Sequence, residues 1–147
     1  MEENIGYLLA QVSRLMRRAF DEKARLIGVT RPQWQVLTLL IAHEGINQGG
    51  LADILEVEPI TLGRMVDRLQ DAGLVERRPD PADRRAWRLY LTDKSRALHE
   101  QLRPLADDMI EAALEGIDHA KRSDLTQSMI RIRSNLTRRS VDGADNV

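Results

Sequence analysis

The sequence predicts a mainly α-helical fold with one small β-hairpin, the arrangement of a winged helix-turn-helix flanked by long terminal helices. Apolar residues recur at three- and four-residue steps over most of the chain, which is the period of amphipathic helices. An alternation of period two is confined to residues 87–91 and follows two closely spaced prolines. The 147 residues suit a single unit, with the winged lobe at residues 30–91.

The first two predicted helices have clear ends. An apolar stripe predicts a helix over residues 5–27, and Gly28 suits the left-handed position that follows a helix end. Thr30 and Gln33 have the spacing of a capping box, which predicts that a second helix begins there. We expect this second helix to end near residues 43–45.

Two shorter helices come next, with the size and turn of a helix-turn-helix pair. The first is predicted over residues 47–57, where Gly49 and Gly50 each weaken the helix by roughly 1 kcal/mol relative to alanine. The second is predicted over residues 59–72. Pro59 suits its first position, because a missing N–H does no harm there.

A β-hairpin, here called the wing, is predicted over residues 74–91. Two prolines and two aspartates between its strands break regular structure. On the second strand Trp87, Leu89 and Leu91 alternate with polar residues, so we expect all three to face the core. A two-stranded ribbon is marginal alone and must therefore pack on the helices.

Two longer helices complete the chain. The first is predicted over residues 93–116 and contains Pro104, which should kink it or end it early because proline lacks a donor and crowds the preceding turn. The second is predicted over residues 118–138 with Asp118 as its cap. Residues 140–147 are small and polar, which predicts a mobile tail.

Composition excludes several classes of function. Cysteine is absent, which excludes disulfides, thiolate metal sites and a cysteine nucleophile. The motifs of serine hydrolases, P-loop NTPases and dinucleotide-binding enzymes are missing, so we expect no enzyme activity and no cofactor. No apolar run approaches the ~18–20 residues of a membrane span, and the first residues are acidic. We therefore expect a cytoplasmic protein with no membrane partner.

The second helix of the pair carries a polar face that suits nucleic acid. The net charge is −1, but residues 61–92 hold seven basic and five acidic residues. Thr61, Arg64 and Arg68 share this face, and Gly63 allows close approach. An arginine fork suits guanine O6 and N7, and threonine reaches phosphate or a thymine methyl. A solvated face of an ordinary amphipathic helix stays open as the alternative.

The tip of the wing is the second cationic feature. It carries Arg84 and Arg85, with Arg88 nearby. Guanidinium groups on a loop tip suit the narrow minor groove of DNA, where the negative potential is enhanced. Asp83 is expected to aim Arg85 through a bidentate pair. A solvated charged turn is the alternative interpretation.

Residues 47–95 resemble the core of the multiple-antibiotic-resistance regulator (MarR) family. The strongest matches are RMVDRL at 64–69, AGLVERR at 72–78, DPADRR at 80–85 and LYLT at 89–92. Weaker matches at 26–30, 31–37 and 132–136 extend the resemblance over almost the whole chain. The segment EPITLGRMVDRL at 58–69 is most similar to the SlyA-like branch.

The resemblance implies a homodimeric, ligand-responsive regulator that binds a pseudo-palindromic operator in double-stranded DNA. It assigns the dimer to residues 5–27 and 93–138, and the recognition helix to residues 59–72. Two copies would read inverted half-sites about one helical turn apart. The residues expected to contact DNA are Gln48, Thr61, Gly63, Arg64, Arg68, Asp83, Arg84, Arg85 and Arg88.

The resemblance also implies a small aromatic or phenolic acid effector. It would lie between the dimer helices and the DNA-binding lobe, against Met16, Arg17, Phe20 and Trp34, with Arg17 as the carboxylate partner. For the three apolar residues, ordinary core packing is the alternative.

Four acidic or imidazole residues recur at four-residue steps, a spacing that can line one helical face with ligands: Asp107, Glu111, Glu115 and His119. Like charges at this spacing repel, and we expect Arg131 or Arg133 to compensate them across helices. We therefore predict no metal site.

A winged-helix module that binds a protein instead of DNA is the alternative function. The salt dependence of binding distinguishes DNA binding from protein binding. Binding through many phosphates weakens steeply as the salt concentration rises, and an apolar protein contact does not.

Overall fold

A computed structural model describes residues 3–144 of the chain, which contain six helices and one two-stranded antiparallel sheet. The elements are α1 (Ile5–Arg25), α2 (Arg31–His43), α3 (Gln48–Leu55), α4 (Pro59–Asp71), β1 (Val75–Pro79), β2 (Trp87–Leu91), α5 (Asp93–Ala113) and α6 (His119–Ala144). The chain divides into two compact units, one up to residue 109 and one from residue 110 onward. The mainly helical fold with a hairpin wing is confirmed.

The first two helices are defined by their end groups. Gly28 has a φ of +75°, the left-handed conformation predicted for the residue after a helix. Before α2, the Thr30 hydroxyl accepts the N–H of Gln33 at 3.4 Å, and the Gln33 side chain accepts the N–H of Thr30 at 3.0 Å. The predicted capping box is therefore present.

The helix-turn-helix pair begins with a close packing that favours glycine. The Asn47 side chain caps α3 by accepting the N–H of Gly50 at 2.7 Å. A Cβ on Gly50 would lie 3.2 Å from that same side-chain oxygen and 3.2 Å from Ile46. Gly50 thus destabilises the helix through its low helix propensity, but it leaves room for the Asn47 cap. Pro59 is the first residue of α4, as predicted.

The wing is tied to the helices by a third extended segment. Its register runs from Val75 opposite Leu91 to Pro79 opposite Trp87. On the other side of β2, the N–H of Gly45 donates to the carbonyl of Leu89 at 2.9 Å, and the N–H of Leu89 donates to the carbonyl of Ile46 at 3.0 Å. The chain just before α3 therefore pairs with β2.

The core of the first unit is centred on α2, α3, α4 and the wing, and α1 and α5 also contribute buried side chains to it. The following apolar side chains are fully buried: Val36, Leu37, Leu40, Leu51, Leu62, Val66 and Leu89. Leu91 is also buried, but Trp87 is 45% exposed, so the prediction that it faces the core is wrong. Trp87 lies at the end of β2 nearest the tip, opposite Pro79, which is exposed as well.

The helix after the wing begins with a reciprocal pair of cap hydrogen bonds and continues past its proline. The Thr92 hydroxyl accepts the N–H of Ser95 at 3.1 Å, and the Ser95 hydroxyl accepts the N–H of Thr92 at 2.8 Å. α5 then runs through Pro104 without a break, so of the two expected effects the early end is wrong, and the kink stays a prediction. A proline costs one backbone hydrogen bond, and the other turns of this 21-residue helix are retained.

The second unit contains the end of α5 and the whole of α6. Asp118 caps α6 by accepting the N–H of Lys121 at 2.9 Å, as predicted. Arg122 pairs with Glu111 at 3.0 Å and also donates to the Leu114 carbonyl at 2.9 Å. Arg122 thus provides the compensation of Glu111 that was expected from Arg131 or Arg133.

The end of the chain differs from its predicted outline. α6 continues to Ala144 and so overlaps the tail predicted at residues 140–147. Residues 145–147 lie outside the described residues. None of the helices within residues 3–144 is both long enough and apolar enough to cross a membrane.

Candidate nucleic-acid interface

The outer face of α4 presents three side chains predicted to contact DNA. Leu62, Val66 and Leu69 are buried and anchor the inner face of the helix. Thr61, Arg64 and Arg68 are exposed. Among the side chains of residues 3–139, neither Arg64 nor Arg68 has a hydrogen-bond or ion-pair partner. Both guanidinium groups are therefore available to a ligand.

Arg77, on β1, fixes the wing to the helix-turn-helix pair. Its guanidinium donates to the Asp67 carboxylate at 2.5 Å, to the Gln70 side chain at 3.2 Å and to the Gly63 carbonyl at 3.1 Å. Its Nε donates to the side-chain oxygen of Gln48 at 3.2 Å. The side chain is only 17% exposed. Arg77 thus joins α3, α4 and β1, and its charge is already paired with Asp67.

This arrangement gives Gln48 and Gly63 a role in packing. Both contact the Arg77 guanidinium, through a side-chain oxygen and a backbone carbonyl respectively. A Cβ on Gly63 would lie 3.4 Å from the Gln48 amide nitrogen, which is close to an ordinary van der Waals contact. The role of Gly63 in packing is therefore carried by its backbone carbonyl, which accepts from Arg77.

The sequence contained a signal for Arg77 that composition alone does not show. Successive side chains of a strand point to opposite faces, so Arg77 shares a face with the buried Val75. Glu76 and Arg78 lie on the other face and are exposed. The alternation of side chains along the strand therefore distinguishes Arg77, which packs on the protein, from Arg78, which faces solvent.

Two further arginines of the wing have partners. Arg78 pairs with Glu76 at 3.2 Å, lowering the pKa of that carboxyl, and lies 4.0 Å from the centroid of the Tyr90 ring. Arg88 donates to Asp80 at 3.1 Å. The Ala82 N–H and the Arg88 guanidinium together hold the pKa of Asp80 below its ordinary range. Arg88, predicted to contact DNA, thus also stabilises the base of the tip.

The tip of the wing, residues 80–86, is shaped by its two aspartates. Asp80 accepts the N–H of Ala82 at 2.9 Å, and Asp83 accepts the backbone N–H of Arg85 at 2.9 Å. No ion pair joins Asp83 to the Arg85 guanidinium in the part of the chain described, so the expected bidentate pair is not formed. Asp83 instead shapes the turn that presents Arg85.

The interface therefore has four available cations in two groups. Arg64 and Arg68 lie on the exposed face of α4, and Arg84 and Arg85 lie at the tip of the wing. Neither of the tip guanidinium groups has a partner among the side chains described. Because Arg77 joins the wing to α4, the two groups are held on one framework.

The residues predicted to bind an effector are divided between the core and the surface. Phe20 is buried and packs edge-to-face on Trp34, with ring centroids 4.8 Å apart. The Trp34 indole donates to Asp21 at 2.8 Å. Met16 is half-buried on α1, and the exposed Arg17 donates to Ser13 at 3.1 Å. Ordinary packing thus accounts for Phe20 and Trp34.

Asp21 is a polar contact between α1 and α2 that the sequence did not single out. Besides the Trp34 indole, it accepts the Arg31 Nε at 2.7 Å. These two donors, with Arg31 the stronger, hold the pKa of Asp21 below its ordinary value. Asp21, Arg25 and Arg31 border a shallow groove at the end of α1.

Among the side chains of residues 3–139, the structure describes no group of three or more histidine or carboxylate side chains placed to hold a metal ion. In particular, Glu111 is engaged by Arg122 instead of joining Glu115 and His119 in such a group.

Comparisons with known proteins agree with this geometry. Residues 29–87 match the sequence model of the MarR family. The chain is similar to the uncharacterized HTH-type transcriptional regulator YybA of Bacillus subtilis strain 168, with 25% identity over 128 residues, which cover 84% of this chain and 85% of that protein.

Two solved structures have a similar fold. A MarR transcriptional regulator from Methanosarcina mazei Go1 superposes with a TM-score of 0.81 at 28% identity, over 91% of this chain and 96% of that one. The transcriptional regulator PA3341 superposes with a TM-score of 0.78 at 34% identity, over 92% of this chain and 99% of that one.

Proposed function

We propose that this chain, which belongs to the MarR family of winged-helix transcriptional regulators, is a homodimer that binds a pseudo-palindromic operator. The bound homodimer represses transcription until a small ligand releases it from the DNA. The similarity of residues 58–69 to the SlyA-like branch supports a place in that branch.

The observation that carries the proposal is the pair of cationic groups on one framework. Arg64 and Arg68 lie on α4, the helix that would enter the major groove, with Thr61 beside them. Arg84 and Arg85 lie at the tip of the wing, where they would reach the adjacent minor groove. We assign base reading to Arg64 and the minor-groove contact to Arg85.

The proposed homodimer is supported by apolar surface on the terminal helices. On α1, Ile5, Leu8, Val12 and Leu15 recur at three- and four-residue steps and are exposed. In the second unit, Leu125, Met129 and Ile130 of α6 are exposed as well. Extended apolar surface of this kind marks an interface, and a second copy of the chain would cover it.

The proposed effector is a small aromatic or phenolic acid bound near α1. Arg17 would pair with its carboxylate, since the guanidinium has only the neutral Ser13 hydroxyl as a partner within the described residues. Met16, one turn before the buried Phe20, would contribute the apolar contact. The Phe20–Trp34 pair would form the wall behind it.

The decisive experiment is selection of genomic DNA fragments by the purified full chain, followed by binding measurements over a range of salt. We expect an inverted repeat with half-sites about one helical turn apart, and an affinity that falls steeply as salt rises. Repeating the selection with phenolic acids present should reduce recovery of the same fragments.

A matched pair of variants makes the experiment specific. Replacing both Arg64 and Arg85 by alanine should abolish enrichment of the repeat, whereas Arg103→Ala removes an exposed arginine of α5 and should not. If no repeat is enriched and binding is insensitive to salt, the proposal is wrong and the protein-interaction alternative replaces it.

A further inference from the structure

Ile60 is an exposed apolar side chain at the start of the helix proposed to read DNA. It is the second residue of α4 and is 71% exposed. Among the large apolar side chains of residues 3–139, only Leu26 is more exposed. An isoleucine in this position gains no hydrophobic free energy while it faces solvent, and it would gain some by packing on an apolar group of a partner.

The helical register directs Ile60 away from the core. It lies four residues before Arg64, so the two side chains are neighbours on one face of α4. The buried residues Leu62, Val66 and Leu69 occupy the opposite face. Ile60 and the unpaired Arg64 guanidinium therefore point to the same surroundings.

The start of α4 does not need Ile60 for its own stability. Pro59 occupies the first helical position, and Val57, just before the N-cap residue Glu58, packs against the core. The exposed apolar residues of α1 and α6 are explained by the proposed dimer. Ile60 lies on neither helix, so the proposed dimer does not account for it.

The chemistry of the major groove supplies one. The apolar group that base edges present there is the 5-methyl of thymine. We propose that Ile60 is a specificity-determining residue that packs on a thymine methyl in each operator half-site. This inference rests on the proposed function, since it takes α4 to lie in the major groove.

Helix geometry places this thymine relative to the base read by Arg64. Four residues of α-helix rise about 6 Å. Successive base pairs are about 3.4 Å apart, so the separation corresponds to about two base-pair steps. The operator is therefore expected to contain a thymine within about two base pairs of a guanine contacted by Arg64.

The test removes the methyl group from the DNA instead of from the protein. In the selected operator, each symmetric pair of thymines is replaced by deoxyuridine, which keeps the base pairing and lacks only the 5-methyl. For one pair of positions, the parent protein should lose affinity by about four-fold for each half-site, the value of one buried methyl group.

Variants of the protein identify the residue responsible. The Ile60→Ala variant should bind the thymine operator more weakly than the parent does. It should bind the deoxyuridine operator as tightly as it binds the thymine operator. Ile54→Ala is the matched control, because Ile54 is a 44% exposed isoleucine on α3, and it should retain the full difference between the two operators. Far-ultraviolet circular dichroism of each variant checks that it is folded.

The outcomes separate this inference from the function on which it rests. If the parent binds every deoxyuridine operator as tightly as the thymine operator, Ile60 reads no methyl, although the protein is still an operator-binding regulator. The same conclusion holds if Ile60→Ala keeps the full loss on deoxyuridine substitution. If no operator can be selected at all, the proposed function fails and this inference fails with it.

Discussion

At the scale of single residues, Arg77 and Arg85 belong to the same hairpin and have opposite roles. The Arg77 guanidinium contacts four acceptors on α3 and α4 and is mostly buried. The Arg85 side chain is exposed, and only its backbone N–H is held, by Asp83. Loss of Arg77 should therefore affect folding, whereas loss of Arg85 should affect binding.

Arg77→Ala is expected to lower the free energy of unfolding by about 2 kcal/mol, because it leaves the partly buried acceptors on Gln48 and Gly63 without a donor. Arg77→Lys should be nearly as destabilising, since a single ammonium cannot reproduce the planar fork. Urea denaturation measures both. Arg84→Ala is the control, and a loss equal to that of Arg77→Ala would contradict the distinction.

Arg85→Ala should weaken operator binding and leave stability unchanged. If each wing places one guanidinium against the DNA backbone in the minor groove, the slope of log affinity against log salt should become shallower by about one for each wing. Fluorescence anisotropy with labelled operator over a series of salt concentrations measures this slope. An unchanged affinity and slope would show that the wing tip does not contact DNA.

At the scale of elements, the sequence predicted the ends of helices well because end signals are local. Thr30 with Gln33 and Gly28 act within a few residues of the backbone groups they satisfy. The pairing of Gly45 and Ile46 with Leu89 joins segments more than forty residues apart, and no local pattern encodes it. That contact became visible only in the folded chain.

The residue types of the candidate interface were predictable from the sequence. It was less predictable which of these residues stay exposed and which are engaged by contacts within the protein. Spacing identified Thr61, Arg64 and Arg68 as one face, and the structure leaves all three exposed. Spacing did not reveal that Gln48 is engaged by Arg77, because that contact depends on how α3 packs against β1. Trp87 was assigned inward because alternation gives the face of a strand and not how far the core extends along it.

The contact between α1 and α2 predicts an acid-sensitive stability. The pKa of Asp21 is lowered in the folded protein by Arg31 and Trp34, so its contribution is present above the ordinary value of 3.8 and is lost as pH falls through the lower folded value. Asp21→Asn should therefore be less stable than the parent at neutral pH, with a difference that shrinks below about pH 4.

Chemical denaturation of the parent and Asp21→Asn between about pH 3 and 7 tests this dependence. Asp53→Asn is the control, because the Asp53 side chain is exposed and has no hydrogen-bond or ion-pair partner among the side chains described. The stability difference for Asp21→Asn should change with pH more than the difference for this control. A difference for Asp21→Asn that stays constant over this range would mean that its charge contributes nothing to the contact.

At the scale of the whole molecule, oligomeric state and DNA binding should be lost together. Leu15→Glu places a charge in the exposed apolar stripe of α1 and should convert the proposed dimer to a monomer, because burying an unpaired carboxylate is costly. Analytical ultracentrifugation should then show half the parent mass, and operator affinity should fall sharply since one half-site is contacted at a time.

Ile54→Glu introduces the same charge at an exposed isoleucine outside the terminal helices and should remain dimeric. If Leu15→Glu retained the parent mass, α1 would not be the dimer interface. If it were monomeric and still bound the operator at full strength, the two copies would not act together on DNA.

The contacts of Arg77 also limit how a signal can switch this protein off. A hinge between the wing and the helix-turn-helix pair would have to break all four hydrogen bonds of Arg77, one to α3 and three to α4. The wing and the pair should therefore bind a half-site as one rigid piece. An inducer would then act by changing the distance between the DNA-binding surfaces of the two subunits, until they no longer match successive turns of the double helix.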